Sequence, residues 1–143
     1  MVHALDEAWR VLTDHGIMID VRPLCVDVPL EIVAQERVET AGMIDSSPEK
    51  DLDIAADQAI EIVLTKRRYV EKRVENFDFA YWWETVKDMR ADIDEFWQED
   101  VIIGEELWEQ ARKMFTGRLP APKLRVRLRM KLGIYDKIIS IAD

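Results

Sequence analysis

Asp20 and Arg22 are the residues of this chain best suited by type and spacing to orient a polar ligand. They stand two apart, on one face, at the carboxyl end of an apolar run, which is where open α/β sheets present ligand-binding groups. A buried acid needs a partner, so the same spacing also suits an ion pair with neighbouring charges or with the basic stretch near the C-terminus. Tyr81-Trp82-Trp83, with Phe77, Phe79, Phe96 and Trp97 close by, concentrates the aromatic residues. Aromatic pockets take flat or methylated ligands, while rings at strand or helix spacing more often build core.

Other chemistry is poorly provided for. His3 and His15 are the only histidines, one near the terminus and one in a turn, and they make neither a zinc site nor a catalytic triad. Asp88, Asp92 and Glu95 share a helix face without the glycine and asparagine spacing of a calcium loop, so they read as a solvated surface and no metal site is expected. Cys25 is the single cysteine, which excludes an internal disulfide and suits a reducing, cytoplasmic compartment. The row Arg125, Arg127, Arg129 and Lys131 could follow a phosphate backbone. It lacks interleaved exposed aromatics, however, and the chain carries a net charge of −9, so cross-strand pairing with Glu71, Glu75 or Asp20 explains the row and no nucleic-acid partner is expected.

A chain of 143 residues with 48% apolar and 34% charged side chains suits one soluble domain. No run approaches the roughly 20 apolar residues of a membrane helix, and the opening Met1-Val2-His3-Ala4 lacks an export pattern. Charge is unevenly placed: residues 117–143 carry +5 and the remainder −14, so the two parts attract.

The elements that position these residues follow from periodicity. Ala4, Leu5, Ala8, Trp9, Val11 and Leu12 mark a helix near 3–12, and Gly16 stands where a left-handed residue would end it. Residues 17–21, Ile-Met-Ile-Asp-Val, read as a short strand buried on both faces and closed by Arg22-Pro23. Val26–Leu30 reads as extended, Glu31–Glu39 suits either strand or helix, and Ala41-Gly42-Met43 suggests a turn, so short strands are expected here. A serine cap at Ser46-Ser47-Pro48 opens a helix near 48–66, followed by a strand at 69–79 and helices near 84–97 and 105–115. Leu124, Val126, Leu128, Met130 and Leu132 alternate with the basic row, giving a strand at 123–132.

The passage Glu7-Ala8-Trp9-Arg10-Val11-Leu12, then Gly16, then the apolar strand ending Asp20-Val21-Arg22-Pro23, resembles the fourth-helix-to-fifth-strand passage of class I S-adenosylmethionine-dependent methyltransferases. That family usually has Pro-Gly-Gly at the turn, where this chain has Asp14-His15-Gly16. The resemblance implies an α/β or α+β fold with a partial mixed sheet: the fold ends with a helix, a sixth strand, further helical or loop material, and a seventh strand inserted antiparallel beside the fifth. It also implies that the glycine loop and ribose-binding acid lie in a half that precedes the strand at 17–21 and is absent. No residue therefore inherits a catalytic or cofactor-binding role, and no cofactor is expected for the isolated chain, S-adenosylmethionine being expected only if a partner completes the fold. Asp20, Arg22, Tyr81, Trp82 and Trp83 remain the candidate ligand-pocket residues.

An apolar strand without its neighbour exposes an edge that invites pairing. A homodimer, or a complementary chain covering the edge of 17–21, is the expected partner. Three functions follow: a catalytically silent methyltransferase-like structural or regulatory homo-oligomer; a methyltransferase subunit or fragment completed by another chain; or a small-ligand-binding α+β domain using the aromatic cluster.

Overall fold

The computed structural model describes residues 1–117 and 120–139. Its elements are α1 (Val2–Val11), β1 (Ile17–Pro23), β2 (Val28–Ala34), β3 (Arg37–Ile44), α2 (Lys50–Thr65), β4 (Tyr69–Trp83), α3 (Val86–Phe96), α4 (Glu105–Phe115) and β5 (Lys123–Lys137). A single 3-10 turn, Ser47–Glu49, precedes α2. The fold is α+β, and its five strands form an antiparallel sheet in the order β1-β5-β2-β3, with β4 also paired to β5. The direction of β4 is evident from its ion pairs. Lys72 meets Asp136, Asp78 meets Arg129 and Glu84 meets Lys123, so positions climb one strand as they descend the other.

The chain divides into two compact units. One comprises Met1–Leu24, Asp51–Phe77 and the described residues from Met130 on; the other comprises Cys25–Lys50 and the described residues of Asp78–Arg129. In the first unit, the apolar stripe of α1 (Val2, Leu5, Trp9) and that of α2 (Ile60, Val63, Leu64) pack with Met18, Tyr69 and Tyr135. The Trp9 indole donates to the Ile138 carbonyl at 3.1 Å and the Tyr69 hydroxyl to that of Leu5 at 3.0 Å, so both aromatic polar groups are satisfied on burial. In the second unit, Leu30, Ile32, Leu124 and Val126 meet Met89 and Ile93 of α3 and Trp108 and Ala111 of α4.

The two units bury different phases of β5. Leu124 and Val126 are buried in one, Gly133 and Tyr135 in the other, so the unbroken alternation expected to Leu132 does not define one face. The strand also runs to Lys137, five residues beyond the expected end at 132. β4 likewise extends past its expected end at 79 to Trp83, so Tyr81, Trp82 and Trp83 belong to a strand. Helix α3 starts only at Val86, because Thr85 caps it: the Thr85 hydroxyl accepts the Asp88 amide at 3.0 Å. The serine cap expected at 46–47 is replaced by Asp45, whose carboxylate accepts the Ser47 amide at 2.8 Å and is thereby held below its ordinary pKa.

Two glycines are required by close approach. Gly16 does not end α1 in a left-handed conformation, since no glycine has positive φ and the cap residue Leu12 is extended. A side chain there would instead meet Leu12 Cβ at 2.8 Å. At Gly133 the Tyr135 ring lies across the backbone, and a Cβ would fall 2.5 Å from it. Because Tyr135 is fully buried, the ring has nowhere to move. Gly133→Ala is expected to cost about 1.5 kcal/mol, read as a lower urea midpoint at unchanged m-value.

The stretch 26–39 does contain strands, and the turn expected at Ala41-Gly42-Met43 is corrected, since these residues lie within β3, where Gly42 and Met43 pair with Leu30 and Pro29. β2 and β3 form a hairpin through Gln35-Glu36, with Gln35 at φ 54° in the region where asparagine or glycine is more usual.

Candidate functional site

Arg22 reaches α2 from β1. Its Nε meets Asp20 at 3.1 Å, one Nη meets Asp53 at 2.6 Å, and the other meets Asp57, which also accepts Lys131 at 2.7 Å. Burial works to lower the Arg22 pKa, but the hydrogen bonds and charges of Asp57 and Asp20 outweigh it and raise it. The Lys131 hydrogen bond, against burial and with help from Arg22, holds Asp57 below its ordinary value. All three guanidinium nitrogens face carboxylates, so Asp20 and Arg22 clamp β1 to α2.

The aromatic run belongs to the second unit and is split by strand periodicity. Tyr81 and Trp83 point to the helix side, where Tyr81 packs edge-on against Trp97 at 4.8 Å and the buried Trp83 indole donates to Asp92 at 2.7 Å. Trp82 points the other way, half-exposed, with the Arg125 guanidinium 5.1 Å from its ring centre. The three side chains therefore do not converge on one cavity. Among the described residues no cluster of three or more His, Cys, Asp or Glu could hold a metal ion.

The basic row finds partners other than those expected from sequence. Arg125 and Arg127 bind Glu31 at 2.6 and 2.7 Å, Arg129 binds Asp78 at 2.9 Å, and Lys131 binds Asp57. Glu75 instead pairs with Arg73. Trp82, stacked on Arg125, is also an exposed aromatic beside the row where none was expected. Glu31 is only 2% exposed and was hidden from sequence reasoning because it stands inside the apolar run Val28–Ala34. Burial alone would raise its pKa, but the hydrogen bonds of Arg127 and Arg125 lower it.

The least satisfied region is β1. Its backbone pairs with β5 on one side only, and among the described residues no strand pairs with its other edge. The expectation of burial on both faces is corrected: α1 and α2 both pack on the Met18 side, leaving Ile17, Ile19 and Val21 at 52%, 62% and 51% exposure. Ile19 and Val21 stand opposite Ile134 and Leu132 of β5, and Val70 and Val74 of β4 are exposed as well. The Lys72–Asp136 pair, with Asp136 opposite Ile17, places Lys72 on the same face as the β1 isoleucines, and with it Val70, whose neighbour Tyr69 is buried on the other side. His15 lines a cleft of about 280 Å³ at its end, with Asp14, Ile17, Lys72, Asp136 and Lys137. A contiguous apolar sheet face beside a free strand edge can bind polypeptide. No helix among the described residues is long and apolar enough to cross a membrane. Comparison with protein-family models, curated proteins and solved structures gives no match to this chain.

Proposed function

We propose that this chain is a methyltransferase-like module that acts by association and carries out no chemistry of its own. A polypeptide segment bearing the adenosyl-donor site completes it at β1. The observation that supports this reading is the order α1, β1, α2, β4, β5 in the first unit, with β5 antiparallel beside β1. The resembled family ends in the same run of helix, fifth strand, helix, sixth strand and antiparallel seventh strand. In such a sheet the fifth strand is covered on both faces and paired on both edges. The free edge of β1 and the exposed Ile17, Ile19 and Val21 are the surfaces such a segment would cover. A cytoplasmic setting fits the lone thiol of Cys25.

Titration calorimetry of S-adenosylmethionine into the chain alone is expected to give no binding heat, and donor uptake by the chain alone overturns the reading. Co-expression with a polypeptide carrying the family's glycine-loop half is expected to restore binding. Ile19→Lys, which costs the isolated fold less than about 0.5 kcal/mol because the residue faces solvent, is expected to abolish that restoration. The second reading, a structural or regulatory homo-oligomer, is favoured by a separate feature, the free edge of β4.

A further inference from the structure

β4 is a fifteen-residue edge strand: among the described residues it pairs only with β5, and its stretch from Val70 to Val74 is exposed on both faces. Long edges are ordinarily blunted by charge, and Glu71, Lys72, Arg73 and Glu75 supply it here. Their order does more than repel. When two copies of one strand pair antiparallel about a two-fold axis normal to the sheet, a single residue faces its own copy and the charges around it fall opposite one another. Centring on Glu71, Lys72, Arg73 or Glu75 sets like charges face to face. Centring on Val74 sets Arg73 opposite Glu75 of the other copy, twice, with Lys72 opposite Asn76 and the two exposed valines facing one another across the axis.

We infer that a second copy of this chain docks on the free edge of β4, antiparallel and centred on Val74, as a homodimer whose register is selected by Arg73 and Glu75. Both side chains are accessible for it, with Arg73 64% and Glu75 38% exposed although they also touch within the chain. The pairing extends the sheet from the edge opposite β1, so it is independent of what covers β1.

Sedimentation equilibrium on the full chain tests this. The parent protein is expected to be a dimer at micromolar concentration. Arg73→Glu is expected to weaken dimerisation at least about tenfold, since it replaces two attractive cross-strand pairs by two repulsive ones, and Arg73→Glu with Glu75→Arg is expected to restore it. Val74→Cys is expected to form an oxidised dimer and Val70→Cys none, against the parent Cys25 background. A monomeric parent overturns the inference, as does a dimer indifferent to Arg73→Glu or one lost only in Ile19→Lys. Failure of any of these leaves the donor-binding test of the β1 reading unaffected.

Discussion

Glu31→Gln is expected to cost on the order of 3 kcal/mol of folding free energy, the largest effect of any single polar substitution in the molecule. Glu31 is buried in β2, where Leu30 and Ile32 face the core and the carboxylate faces β5. Its oxygens take up Arg125, whose side chain is 18% exposed, and the more exposed Arg127. Neutralising the acid leaves Arg125 desolvated without its counter-charge, and that residual charge, rather than the lost attraction, sets the cost. Changing Glu31, Arg125 and Arg127 together to apolar residues of similar size is therefore expected to recover much of the loss. The pH dependence has a definite sign. Glu31 has a lower pKa folded than unfolded, so its contribution is complete above the unfolded value near 4.5 and fades as pH falls through the folded one. Urea titrations of parent and variant should differ most near neutrality and converge in acid. A constant difference would show that the charge is not what matters.

The same burial explains what could and could not be read from sequence. α4 was legible to the residue, 105–115, because its apolar positions recur at helical spacing between Gly104 and Gly117. α1 and α2 were legible for the same reason, whereas β1 was legible as a short apolar run whose supposed burial on both faces failed. The antiparallel return of β5 beside β1 was expected only from the resemblance and not from periodicity. β2 was harder because it lies between β5 and β3, and five of its seven residues are buried. Two-sided burial erases the alternation that identifies a strand, and it conceals Glu31 among apolar neighbours. Strand periodicity also separates Trp82 from Tyr81 and Trp83, so adjacency in sequence overstated the aromatic cluster. Partners of the basic row depended on cross-strand register, which a single sequence does not carry: Asp78 and Asp57 were as available by composition as Glu71.

Arg22→Met is expected to cost about 2 kcal/mol, and here the carboxylates left behind decide the outcome. Methionine keeps the length and packing of the arginine stem but supplies no donor. Asp20, itself about one-fifth exposed, loses its guanidinium, and Asp57 keeps only Lys131. Asp57 then favours protonation more than in the parent, so its folded pKa rises back toward the unfolded one. In the parent, Asp57 is held low, so its stabilisation is present above the unfolded value near 3.8 and is lost below it. In Arg22→Met that acid-side loss is reduced, and the stability gap from the parent narrows as pH is lowered below about 3.8 toward the folded value. Asp20→Asn in the Arg22→Met background should then cost less than in the parent, a coupling that a double-mutant cycle measures directly. Additive costs would mean that Arg22 holds β1 through its stem alone, and the assignment of Asp20 and Arg22 as a structural clamp would fall.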